Sequence, residues 1–186
     1  MGANHQGLAA RIFDTGYIEP FDLLQYPNFS KLQLILALDQ VQDPGNIGAL
    51  ARTLFALGGI GMVITRHRSA SLGSAAIKSS AGALNRLSVA RVANLSKFLD
   101  QAGDFGWNIY GTGLDDTGHN IYLFPEFEWP MILILGNEEK GIRPGVAKRC
   151  KAILSIPMCS GFNSLNVAQA GAMIMGEFSG RWFRNT

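Results

Sequence analysis

The sequence predicts an α/β fold, a parallel sheet flanked by helices, on two observations. Strand-length runs that are apolar at every position alternate with segments of helical period. The turns between them are rich in glycine, 22 of 186 residues with no repeating period. Runs apolar throughout belong to strands covered on both faces, the condition of a parallel sheet between helical layers. The length suffices for one good core and is short for two ordinary domains. Residues 1–31 read as an arm or linker and residues 32–186 as the domain.

Leu34–Leu38 is the first apolar strand, closed by Asp43-Pro44-Gly45-Asn46. Asn46 is a candidate cap for a helix that carries Leu50, Leu54 and Leu57 and stops at Gly58-Gly59. Met62–Ile64 follows as a strand, and strand–helix–strand connectivity favours parallel pairing. The alternation continues with a helix near Ser74–Ser80, a strand near Leu87–Ala90, a helix near Leu95–Ala102 and a strand at Trp107–Gly111. Met131–Leu135 and Ala152–Ile156 are further apolar strands, and a final helix is expected from about Ser164 to Phe178 or beyond.

Composition excludes several classes. No apolar run approaches the ~20 residues a membrane-spanning helix needs, and the first residues lack an apolar signal core. Cys150 and Cys159 have no metal-ligand spacing, and His5, His67 and His119 are dispersed, so no metal site is expected. A reducing, cytoplasmic setting is the expectation. Net charge is only +2 but uneven: residues 44–99 hold seven basic side chains and no acid, 100–139 eight acids and no base, and 140–186 seven bases against Glu177. If the two basic segments share a face they make a phosphate-binding surface; the alternative is a scatter of charge over solvated helix faces.

Three strands are expected to end in unusual turns: Gly111-Thr112-Gly113, Leu135-Gly136-Asn137-Glu138, and Ile156 through Gly161. Ligands of open parallel sheets bind beyond the carboxyl ends of strands, where glycine lets backbone groups approach closely. Glycines also simply make turns, and for any single one that reading is favoured. Dinucleotide and phosphate-loop signatures are absent, and no GxSxG elbow supports a hydrolase.

Three ordered blocks carry a more specific signal. They are Asn46-Ile47-Gly48-Ala49-Leu50-Ala51-Arg52-Thr53, Leu133-Ile134-Leu135-Gly136-Asn137-Glu138-Glu139-Lys140-Gly141, and Ile156-Pro157-Met158 through Ser164-Leu165-Asn166-Val167. Together they resemble the motifs of the SpoU (TrmH) family of RNA ribose 2′-O-methyltransferases. The resemblance implies the SPOUT architecture, in which the C-terminal segment forms a deep trefoil knot. Patterning alone predicts an open sheet, because chains avoid knots. It also implies a homodimer, S-adenosylmethionine as methyl donor and RNA as substrate. His5-Gln6-Gly7 and Ala9-Ala10-Arg11 resemble the segment leading into the catalytic domain in the branch acting on guanosine of 23S ribosomal RNA, which favours rRNA over tRNA. Alternatives are a tRNA methyltransferase, a non-catalytic RNA-binding scaffold of the same fold, and a small-molecule-binding α/β domain.

By the same resemblance Arg52 is the central catalytic residue, with Asn46, Glu138, Ser164 and Asn166 beside it. An arginine with a pKa above about 12 accepts a proton poorly, so stabilising an alkoxide or clamping a phosphate is easier chemistry for it. The plain reading of Arg52 is an exposed helix arginine, that of Asn46 an N-cap, and that of Glu138 a solvated turn carboxylate. Ser164 or Asn166 could cap the last helix. The implied methyl-donor contacts are Thr112, Gly113, Leu135, Gly136, Ile156, Met158 and Leu165, of which Leu135, Ile156 and Leu165 could equally be core. Departures from the motifs stand at Glu139, Ser160 and Ala168.

Overall fold

A computed structural model describes residues 16–25, 32–113, 118–159 and 164–185. The elements are α1 (Pro20–Leu24), β1 (Leu34–Asp39), α2 (Pro44–Ala56), β2 (Gly61–Thr65), α3 (Ser74–Ser79), a 3-10 turn (Ala83–Asn85), β3 (Ser88–Val92) and α4 (Leu95–Asp104). They continue with β4 (Asn108–Thr112), β5 (His119–Asn120), β6 (Met131–Gly136), α5 (Pro144–Ala147), β7 (Ala152–Ser155) and α6 (Val167–Asn185). The strands form one sheet in the order β3-β2-β1-β6-β4-β7-β5, every neighbouring pair parallel. The parallel sheet flanked by helices that the apolar runs predicted is therefore present.

Alternation along β1 shows how the layers form. Leu34, Leu36 and Leu38 enter a core shared with Leu50 and Leu54 of α2 and Ile174, Met175 and Phe178 of α6. Ile35 and Ala37 point the other way, toward Leu23 of α1, Phe98 and Leu99 of α4 and Val146 of α5. Every residue of β1, β2 and β6 is buried. Burying each large aliphatic side chain contributes about 1.5–3 kcal/mol, so the central strands, covered on both faces, anchor the domain.

Two helix starts differ from expectation. Asn46 does not cap α2; Asp43 does, its Oδ1 accepting from the Asn46 N–H at 2.7 Å. Pro44 is the reason: it has no N–H to satisfy and its fixed φ suits the first helical position, so the residue before it takes the cap. The last helix begins at Val167, because Asn166 caps it by accepting from the N–H groups of Ala168 and Gln169. α1, α5, the 3-10 turn and two-residue β5 have too few residues to show a period, and none was expected.

Candidate active site at the carboxyl edge of the sheet

Because all strands are parallel, their carboxyl ends share one edge, and strand order decides which turns are neighbours there. β6, β4 and β7 are adjacent. The three turns picked out in the sequence, after Leu135, Gly111 and Ile156, therefore meet at one place although up to 45 residues separate them in the chain.

Asn46 sits in the first turn of α2. Its Nδ2 donates to Glu138 Oε1 at 3.0 Å, and its Oδ1 accepts from Asn166 Nδ2 at 3.0 Å. One residue from each of the three motif blocks thus joins a single polar chain, closed across 92 and 120 residues of sequence. The Asp43 cap makes this possible, since it leaves the Asn46 amide free to bridge. The turn that presents Glu138 is built by Asn137. Its Oδ1 accepts from the N–H groups of Glu139 and Lys140, and its Nδ2 donates to the Gln40 carbonyl at 3.2 Å. Below it, fully buried Asp39 at the end of β1 accepts from the Arg143 N–H at 2.9 Å and Nε at 2.8 Å, pinning the loop after β6 to the sheet.

Arg52 lies six residues beyond Asn46 on α2, about 9 Å along the axis and roughly a third of a turn around it. It is exposed, and no ion pair among the described residues holds it. Ser164 is exposed at the approach to α6. The structure brings Asn46, Glu138 and Asn166 together and leaves Arg52 and Ser164 outside their hydrogen-bonded chain.

The expected donor-contacting residues divide by role. Leu135 is core: a Cβ on Gly171 of α6 would meet its Cδ1 at 2.7 Å and Leu50 Cδ2 at 2.4 Å. A Cβ on Gly136 would lie 2.2 Å from the Gly141 carbonyl carbon, so this glycine lets the motif loop fold back on itself. Any ligand contact by these two is through backbone. Thr112 and Gly113 are half-buried beside them, with Thr112 Oγ1 donating to the Ile134 carbonyl at 3.2 Å and the Gly113 N–H to the Leu154 carbonyl at 2.9 Å. Ile156 and Met158, in the turn after β7, and Leu165, at the approach to α6, are half-buried apolar residues. Partly exposed apolar side chains beside narrow glycine turns fit a flat, largely apolar group such as adenine.

Two of the motif departures are accommodated locally. Glu139 is exposed and its backbone N–H donates to Asn137, while Ala168 gives its N–H to the cap and packs half-buried against the core. Ser160 lies outside the described residues. Asp43, Asn137 and the Asp39–Arg143 pair were missed in the sequence. Asp before Pro at a helix start was a usable signal for the first; nothing local marks the others. Among the described residues no group of three or more His, Cys, Asp or Glu could hold a metal ion, and no helix is long and apolar enough to cross a membrane.

The chain is similar to proteins of known family and fold. An uncharacterized tRNA/rRNA methyltransferase of Mycolicibacterium paratuberculosis is 37% identical over 175 residues, 94% of this chain and 56% of that protein. The chain thus spans about half the length of the curated relatives it matches. The SpoU methyltransferase AviRb of Streptomyces viridochromogenes, solved with AdoMet, superposes with a TM-score of 0.73 at 29% identity, covering 82% of this chain and 59% of that one. A structure solved in work on the 2-OH methylation of C/U34 on tRNA gives a TM-score of 0.71 at 25% identity, covering 82% of this chain and 97% of that one. The model of the SpoU rRNA Methylase family matches residues 33–176, and with the polar chain uniting its three motif blocks, the chain belongs to that family.

Proposed function

We propose that this chain is the catalytic domain of an S-adenosylmethionine-dependent methyltransferase that modifies a ribose 2′-hydroxyl in RNA, with a guanosine of 23S rRNA as substrate. The observation that carries the proposal is the Asn166–Asn46–Glu138 chain beside the turns of β6, β4 and β7. Relatives named as RNA methyltransferases, one of them solved with AdoMet, support the donor. The work on 2-OH methylation of tRNA with a structural relative supports the ribose oxygen. The rRNA assignment rests on the resemblance of residues 5–11 to the segment found in that branch.

Thr112, Gly113, Ile156, Met158 and Leu165 would hold the donor, together with the backbone of Leu135 and Gly136. When bound, the donor supplies an electrophilic methyl on a sulfonium. The chain's own task is then to position a weakly acidic hydroxyl in line with that methyl and to stabilise the charge as its proton leaves. Glu138 is fixed by Asn46, and Asn46 by Asn166, so this part of the site is organised before RNA arrives. Arg52, exposed on the same helix, is free to reach a phosphate or the developing alkoxide, with Ser164 orienting the ribose.

The knot belongs to the same proposal: α6 returns from β7 to pack on α2 and β6, as a threaded C-terminal segment would. A homodimer is part of it too, supported by Met173 and Phe183 of α6, 43% and 65% exposed. Transfer of labelled methyl from S-adenosylmethionine to total rRNA and tRNA, with the mark mapped, tests the proposal. Label in 23S RNA that is lost with Arg52→Ala, while donor affinity is kept, is the expected result. Donor binding with no transfer to either RNA overturns the substrate assignment, and absence of both overturns the enzyme.

A further inference from the structure

The two basic segments of the sequence are not equivalent once the chain is folded. Of the seven basic residues after position 139, four are held in ion pairs: Arg143 with Asp39, Arg149 with Asp100, Lys151 with Glu128 and Arg181 with Glu177. The Arg149 guanidinium and the Lys151 ammonium are both raised from their ordinary pKa, chiefly by the hydrogen bond each makes to its acid. The acidic stretch 100–139 thus supplies two of those four partners, Asp100 and Glu128. Among the described residues no ion pair involves a base from 44–99.

Three of those unneutralised bases gather at the carboxyl edge of β2 and β3. Arg66 and Arg68 follow β2 directly and are exposed, and Arg91 reaches over from β3 so that its guanidinium donates to the Arg66 carbonyl at 3.3 Å. The corner contains groups with unused hydrogen-bonding capacity: Arg91 Nε and Ser69 Oγ are buried atoms with no partner among the described residues. The Arg91 guanidinium lies over the Tyr17 ring, 5.0 Å from its centroid. Buried donors are rarely left without a partner, and a guanidinium N–H and a hydroxyl are both suited to a phosphate oxygen. The backbone is shaped for it as well. Arg68, within the corner itself, has φ +56°. Left-handed backbone at residues other than glycine costs free energy and gathers at functional sites.

We infer that the Arg66, Arg68 and Arg91 corner is the docking point for the RNA backbone flanking the methylated nucleotide. This rests on the RNA-methyltransferase reading given above. In the strand order β3-β2-β1-β6-β4 the corner lies on the same edge as the Asn46–Glu138 chain, two to three strands and therefore about 10–14 Å from β6. That offset suits phosphates of neighbouring nucleotides rather than of the one being methylated. Such contacts position the strand without reading its sequence.

The test compares two charge-matched double variants of the full chain. Arg66→Ala/Arg68→Ala removes two free charges at the corner; Arg149→Ala/Lys151→Ala removes two that are neutralised. Binding of a labelled single-stranded rRNA fragment is measured between about 50 and 200 mM salt, with donor affinity by calorimetry and folding by thermal melting. The expected result is that the first variant lowers the slope of log K against log salt by about 1.4, the value for two phosphate contacts on a single strand, and keeps donor affinity. The control keeps the parent slope. Equal losses in both variants, or a parent slope in the first, overturn the corner while leaving the enzyme reading intact. Failure of the parent itself to bind any rRNA fragment overturns both.

Discussion

Asn46 shows how one amide can connect three motifs. Its two heteroatoms are both used, one toward Glu138 and one toward Asn166, so truncation orphans a partner on each side. The Glu138 side is part-buried and the Asn166 side exposed, so the penalty falls on Glu138: leaving it unpaired costs about 1–3 kcal/mol, and a small misplacement of reacting groups costs about a hundredfold in rate. Asn46→Ala is therefore expected to lower methyl transfer by that order. Combined with Glu138→Ala it should add little more, because both changes break the same bond. A double-mutant cycle on transfer rate checks this: a coupling energy of at least about 0.5 kcal/mol is expected, and strict additivity would mean the bond is idle in catalysis. At this scale the sequence was informative about which residues matter and silent about how they meet. Asn46 could be read as a cap because asparagine suits that position, yet Pro44 moves the cap to Asp43 and releases Asn46 for the site. Asn166 carries both roles, capping α6 through its oxygen while donating to Asn46 through its nitrogen.

Among elements, the approach of helices is set by glycines whose role composition cannot interpret. A Cβ on Gly48 of α2 would fall 1.9 Å from Ser79 Oγ and, more seriously, 2.4 Å from the Ala76 carbonyl oxygen of α3. A backbone atom cannot turn aside, so α2 would have to move, and Asn46 with it. A Cβ on Gly171 meets only the ends of Leu50 and Leu135, which have other rotamers. Overpacking of this kind costs about 1–3 kcal/mol. Urea unfolding should place Gly48→Ala near the upper end and Gly171→Ala near the lower. Equal costs would mean that α2 and α3 separate freely. The strands were legible because β1, β2 and β6 are buried at every position and so read as unbroken apolar runs. The two-residue β5 and four-residue α5 were not, since elements that short show no period.

For the whole molecule, strand order was the part of the fold least visible in the sequence. Periodicity reports which residues leave water; it does not say that β6 inserts between β1 and β4, and that insertion is what puts Glu138 beside Asn46. The same packing also sets a property of global stability. Cys150 lies against β4, where a Cβ on Gly111 would come within 2.9 Å of its Sγ, and burial together with the charge of Asp39 pushes its thiol up to about 12. In the unfolded chain the thiol ionises near its ordinary value of 9.0. Between roughly pH 9 and 12 the unfolded state therefore binds fewer protons than the folded one, and Cys150 makes stability fall as pH rises through that window. Below pH 9 both states hold the proton and the contribution is flat. The same shift predicts reactivity, because the thiolate is the nucleophile. At pH 8 a disulfide reagent should modify exposed Cys159 in the native protein and reach Cys150 only on unfolding. Replacing Cys150 by alanine should remove the alkaline loss of stability at the cost of a small cavity. An unfolding midpoint that still declined between pH 9 and 12 in Cys150→Ala would assign that decline to other groups.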